Sequence, residues 1–146
     1  MRTPASIAQH PIHPMLVVFP IGLWIFSLIC DVISTGASTP ATWQTVAFYT
    51  MVGGTVGALC AAIPGLVDLV SLKAVPSVQK LAVAHMVINL VAVVLYIINI
   101  WIRSGHPTTM KVPLTLSIIG VVLIAVSGWI GGQMVHVHGV GVSTRE

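Results

Sequence analysis

Four long stretches without a charged side chain constrain the fold of this chain more than any other feature. Residues 3–30, 32–67, 81–102 and 112–144 contain none, and these stretches are 28, 36, 22 and 33 residues long. A helix that crosses a bilayer needs about 20 apolar residues, so each stretch can hold one span. Charged residues make up 6% of the 146 residues, against roughly 25% in soluble domains. The pattern therefore excludes an ordinary soluble enzyme.

We predict an all-α integral membrane protein, a four-transmembrane-helix bundle in which residues 1–146 form a single transmembrane domain. Lipid offers the backbone no hydrogen-bond partner, and the stretches are too long for barrel strands, so the spans should be helices. They are expected at about 14–33, 45–70, 81–102 and 112–135, with Ser/Thr/Gly/Pro-rich breaks between them. Four spans place both termini on the same side. We call that end of the bundle side A and the opposite end side B.

The basic residues predict an orientation and exclude one class of partner. Side A would carry Arg2, Lys73, Lys80 and Arg145, and side B would carry Arg103 and Lys111. Under the positive-inside rule this distribution favours cytoplasmic termini, in a multi-pass protein of the bacterial inner membrane. The basic residues are scattered and form no cluster, so nucleic acid is not an expected partner. The expected partner is the lipid bilayer, and a homo-oligomer is left open.

Histidines are concentrated at side A. Five of the six fall there, namely His10, His13, His85, His136 and His138, whereas His106 falls on side B. Asp68 closes the second helix at the same level, and Asn89 shares one face of the third helix with His85 because they are four residues apart. Polar groups at membrane depth are costly and normally face the bundle interior or a functional site. The topology alone therefore predicts a polar cluster at side A.

Several motifs in this cluster resemble a known family. They are the opening His10-Pro-Ile-His13-Pro-Met-Leu-Val, Pro64-Gly65-x-x-Asp68, His85-x3-Asn89, and the closing run from Gly128 through His138. Together they are similar to the bacterial membrane proteins grouped as domain of unknown function 2231. The resemblance implies a small four-helix membrane protein. Some members are joined to Rieske-type iron–sulfur domains, which implies redox work. The family pattern has a tyrosine where this chain has His136.

The first functional hypothesis is a membrane b-type cytochrome that transfers electrons. Histidines on different helices of a bundle can supply the two axial ligands of a haem iron. The chain has no Cys-x-x-Cys-His motif, so the haem would be non-covalent haem b. The candidate cofactor-binding residues are His13, His85, His138, His10 and His136, with Asp68 and Asn89 expected to hold ligand rings by hydrogen bonds. Electrons would be exchanged with a redox partner protein or a quinone.

Two alternatives remain open. His13, His85 and His138 could bind a non-haem transition metal together with Asp68, because imidazole and carboxylate suit several such metals. The chain could instead be a structural or accessory membrane subunit without a cofactor, with the side A cluster as a hydrogen-bonded cap. No nucleophile with a base at a suitable spacing, phosphate-binding loop or carboxylate pair indicates a hydrolase or a transferase.

The two halves of the chain also show a weak similarity in the spacing of polar residues. His13 precedes Asp68 by 55 residues, and His85 precedes His138 by 53. Two related helical hairpins would give such a similarity, but the sequences around these positions do not match well enough to establish a repeat.

Overall fold

The computed structural model describes residues 4–72, 75–105 and 111–142. Within these ranges the elements are β1 (Ser6–Ile7), β2 (His10–Pro11), α1 (Ile12–Leu16), α2 (Val18–Ser34), α3 (Pro40–Ser71), α4 (Pro76–Gly105) and α5 (Lys111–His136). The two strands form an antiparallel hairpin, and its turn residues Ala8 and Gln9 have positive φ. The described helices include four spans long and apolar enough to cross a membrane: Ile12–Ser34, Pro40–Ser71, Pro76–Ser104 and Lys111–His136.

The helices begin earlier than the sequence pattern suggested. α3 starts at Pro40 and α4 at Pro76, each about five residues before the expected start. Proline is favourable in the first turn of a helix, since its missing N–H would have no intrahelical partner there. Pro76 therefore begins a helix, where a break had been expected. The first span is interrupted at Val17, which separates α1 from α2.

Polar and apolar side chains are distributed as in a membrane bundle. Large aliphatic residues lie exposed along all four spans, as at Ile29, Ile63 and Val94. The buried polar and charged side chains are Ser27, Asp31, Ser34, Thr55, Asp68, Asn99, Ser117 and Ser127. Lipid can solvate the aliphatic outer surface but offers polar groups no partner, so these face neighbouring helices. The described part of the bundle therefore has a polar interior.

Consecutive spans pack as antiparallel hairpins. On α2, Trp24 donates to the Met51 carbonyl of α3 at 3.3 Å, and Ser27 donates to the Ala47 carbonyl at 2.8 Å, so residue numbers rise on one helix as they fall on the other. α4 and α5 are antiparallel in the same way. The hairpins meet at mid-bundle, where Trp24 stacks on Tyr96 with ring centroids 4.1 Å apart. The first turns of α1 and α4 thereby lie at side A.

Candidate functional site

His13 is fixed against α3 by a hydrogen bond to the backbone. Its Nδ1 lies 2.8 Å from the carbonyl oxygen of Ala61. A carbonyl can only accept, so Nδ1 carries the proton and donates it. Pro64 lies inside α3, within the same turn as Ala61. The ring also packs on Gly65, where an added Cβ would lie 2.8 Å from Nδ1.

His85 is held in the same manner against α5. Its Nδ1 lies 2.9 Å from the carbonyl oxygen of Ser127 and 2.9 Å from the Ser127 hydroxyl. The carbonyl can only accept, so Nδ1 carries the proton and the hydroxyl also accepts. Asn89 donates to the Ser127 hydroxyl at 2.7 Å and to the His85 carbonyl at 2.9 Å. The ring lies beside Gly131, where an added Cβ would be 3.4 Å from Cε1. Asn89 thus links the helix that carries His85 to the helix that fixes its ring.

The structure brings the rings of His13 and His85 together. Their centroids are 6.1 Å apart and their planes are inclined by 87°. Since Nδ1 carries the proton in both rings, the neutral imidazoles have their free lone pairs on Nε2. Within the described residues, all hydrogen bonds of both rings are made through Nδ1. The pair therefore offers two Nε2 lone pairs that make no hydrogen bond among the described residues, one from each of two helical hairpins.

The other predicted histidines are placed differently. His10 is exposed in β2, with Nδ1 2.8 Å from the carbonyl of Ala8. His136 is exposed at the end of α5, and His138 is half-buried in the turn that follows. That turn reaches the N-terminal hairpin, since a Cβ at Gly141 would lie 3.5 Å from Pro11. His106 lies outside the described residues.

Asp68 is buried and has a backbone partner. Its Oδ1 accepts a hydrogen bond from the N–H of Ala5 at 3.0 Å. The carboxylate therefore ties the N-terminal hairpin to α3, just before His13 enters the bundle. A hydrogen bond between Asp68 and a histidine had been expected from the sequence. The partner in the structure is an amide, and an effect of Asp68 on a ligand histidine stays a prediction.

Side B contains a buried ion pair that the sequence analysis did not identify. Arg103 donates from both terminal nitrogens to Asp31, at 2.8 and 2.6 Å, and from Nε to Asn99 at 2.9 Å. The Ser117 hydroxyl donates to Asp31 at 3.1 Å. A signal for this pair was available, because Asp31 and Arg103 are opposite charges at the same end of otherwise uncharged spans and a buried charge requires a partner.

The arrangement at side A limits the chemistry that these side chains can support. In the described part of the chain, no group of three or more His, Cys, Asp or Glu side chains is placed to hold a metal ion. Two imidazoles alone leave most coordination positions of a metal to another molecule. The pair could therefore hold a metal only together with ligands from another molecule.

The fold defines a membrane protein of four spanning helices with a polar interior. Comparison with known families is consistent with that class: the family described as predicted membrane protein (DUF2231) matches residues 9–144. The chain belongs to this family. No curated protein and no solved structure matches it.

Proposed function

We propose that the chain is a b-type cytochrome that binds one haem between His13 and His85 and transfers electrons in the membrane. The observation that carries the proposal is the geometry of the two rings. Imidazoles on different helices of a bundle would hold the iron of a non-covalent haem, which would supply one-electron transfer. The centroids of His13 and His85 are 6.1 Å apart.

The protonation of the rings also supports this proposal. A ligating histidine usually donates its other ring N–H to a carbonyl or carboxylate, which fixes the tautomer and makes the ligand more basic. His13 donates to Ala61 and His85 donates to Ser127. These bonds fix both ring orientations before any ligand binds, so binding costs little side-chain conformational entropy. Haem with two strong axial ligands supplies one-electron transfer.

A glycine lies beside each of the two histidine rings. Gly65 and Gly131 present no side chain toward the histidines, and an added Cβ would approach the rings to 2.8 and 3.4 Å. We propose that side A faces the cytoplasm in a bacterial inner membrane, and that a redox partner protein or a quinone exchanges electrons there.

The test is the visible absorption spectrum of the full chain purified in detergent from cells supplied with haem precursor. We expect a pigment whose bands sharpen and shift on addition of dithionite, at one haem per chain. A colourless preparation that contains another transition metal would contradict the haem proposal and favour the non-haem site. A colourless, metal-free preparation would contradict both and favour the accessory subunit.

A further inference from the structure

The contacts within one hairpin recur within the other. The first hairpin comprises α1, α2 and α3, and the second comprises α4 and α5. In both, a histidine donates Nδ1–H to a helix carbonyl, and the glycine four residues after that carbonyl lies against the ring. The residues in that order are His13, Ala61 and Gly65 in the first hairpin and His85, Ser127 and Gly131 in the second.

Deeper in the bundle, two more layers match. Trp24 packs on Gly54 and Tyr96 packs on Gly120, where an added Cβ would approach the rings to 2.6 and 2.7 Å. Nearer side B, a polar side chain of the first helix bonds a carbonyl of the second. The pairs are Ser27 with Ala47 at 2.8 Å and Asn99 with Pro113 at 2.9 Å.

Equivalent positions in the two helical hairpins differ by a constant number of residues. First-helix positions 13, 24, 27 and 31 correspond to 85, 96, 99 and 103, always 72 residues apart. Second-helix positions 47, 54, 61 and 65 correspond to 113, 120, 127 and 131, always 66 residues apart. One shift for each helix, kept from side A to side B, indicates two copies of one structural unit.

Contacts between the hairpins join each residue to its own counterpart. His13 meets His85 at 6.1 Å between centroids, Trp24 stacks on Tyr96 at 4.1 Å, and Asp31 bonds Arg103 at 2.6 Å. A residue touches its own copy only beside a two-fold axis, as in an isologous dimer. Both copies start at side A, so the axis runs along the membrane normal, as in parallel repeats of transporters. α3 with α4 and α5 with α2 also share contacts of similar extent.

We infer that the chain consists of two copies of one helical hairpin arranged about a pseudo-two-fold axis, and that this axis passes through the histidine site. Each copy contributes one imidazole, so the ligand must present an equivalent face to each copy. A planar metal chelate with two open axial positions has that property. This assignment of the ligand rests on the proposed function, whereas the repeat rests on the contacts alone.

The copies have diverged where equivalence would be unfavourable. Two aspartates or two arginines facing each other at side B would repel, and Asp31 with Arg103 replaces that repulsion by a bidentate pair. Trp24 donates Nε1–H to the Met51 carbonyl, whereas the hydroxyl of Tyr96, among the described residues, is buried without a partner. The two copies therefore differ in these side chains, whereas the positions at which their helices contact each other remain equivalent.

Exchange of counterparts tests the repeat in the full chain purified in detergent. One protein carries Trp24→Tyr with Tyr96→Trp, and another carries Asp31→Arg with Arg103→Asp. Each single aromatic variant should lower the unfolding temperature by about 5 °C through misfit packing. Each single charge variant should lower it by more than about 10 °C, because like charges are then buried together. Each double exchange should regain most of that loss.

The control exchange uses contacting residues that are not counterparts, Asn99→Ser with Ser117→Asn, whose side chains are 3.0 Å apart. This double exchange should not restore the unfolding temperature that its two single variants lose. Double exchanges that are as unstable as the summed singles would overturn the repeat, and equal recovery of the control would count against it. Haem content is measured on the same samples. If the double exchanges restore the unfolding temperature but the protein contains no haem, the repeat is supported and the proposed function is rejected. If the protein binds haem but the double exchanges do not restore the unfolding temperature, the proposed function is supported and the repeat is rejected.

Discussion

At the scale of single residues, the proposed site depends on how closely each backbone approaches a histidine ring. Gly65 leaves no room for a Cβ, which would lie 2.8 Å from Nδ1 of His13. We therefore expect Gly65→Ala to displace the ring, lower the stability by roughly 1–3 kcal/mol and weaken haem binding. Gly128→Ala is the control, because nothing lies within 4 Å of its added Cβ. Thermal unfolding and haem titration measure both effects. Unchanged haem affinity in Gly65→Ala would contradict this packing.

The orientation of His85 depends on a second residue-scale contact. Asn89 donates to the Ser127 hydroxyl, which lies 2.9 Å from Nδ1 of His85, so it supports the position of the ring. Loss of such supporting bonds costs 10–100-fold in affinity at metal sites, and we expect about a tenfold loss of haem affinity in Asn89→Leu. Thr115→Val is the control, since that hydroxyl bonds only its own helix, at the Lys111 carbonyl. Equal affinities in the two variants would show that Asn89 does not support the ring.

The sequence could indicate His13 and His85 because histidine is a costly side chain in a span. Their acceptors could not be predicted, since Ala61 and Ser127 contribute backbone carbonyls and a carbonyl leaves no mark in the sequence. The same reason explains Asp68. Its burial was predictable, but its partner is the amide of Ala5, which any residue except proline would supply at that position.

At the scale of elements, the β1–β2 hairpin is attached to α3 through Asp68. A hydrogen bond to a charged acceptor contributes about 1.5–3 kcal/mol, so Asp68→Ala should raise the hydrogen-exchange rate of the Ala5 amide by at least about tenfold. Asp68→Asn retains the acceptor oxygen and should raise it far less. Exchange of the hairpin peptide, followed by mass spectrometry, measures the difference. An identical exchange rate in Asp68→Ala and the parent would show that this bond does not anchor the hairpin.

The existence of the spans was predictable and their starts were not. Long uncharged stretches dictate helices in lipid, but the pattern gives no reason to extend a helix into the polar residues at 40–44 or 76–80. Proline at the first position supplies that reason at Pro40 and Pro76, because it fixes φ and lacks an N–H. The N-terminal hairpin left no strand signal, since its turn residues Ala8 and Gln9 are unusual at positive φ.

At the scale of the whole molecule, the proposed topology places both termini with the loop between α3 and α4. Reporter fusions after Thr39, Ser77, Pro107 and Glu146 test it. The alternation of four spans should group residue 146 with residue 77 and oppose both to residues 39 and 107. The positive-inside rule further predicts that the first group is cytoplasmic. Residue 77 on the same side as residue 39 would separate His13 from His85 and contradict the site, and any other regrouping would contradict the topology.

The two-fold arrangement could not be established from the sequence. The similar spacing in the sequence suggested that Asp68 is equivalent to His138. In the structure Gly65 is equivalent to Gly131, so Asp68 is equivalent to Met134. The first and second helices also follow different shifts, 72 and 66 residues, because the hairpins differ in length. Only contacts between counterparts reveal the common unit, and these contacts require the fold.

The measurement that tests the central claim most directly is the haem content of three single variants, each purified as the full chain beside the parent. His13→Ala and His85→Ala should both lose haem, since each removes one of the two axial ligands. His10→Ala should retain it, because that exposed ring bonds only the Ala8 carbonyl of its own hairpin. The account predicts that the two ligand variants lose haem to a similar degree while remaining folded. Full, spectrally unchanged haem in either of them would contradict it.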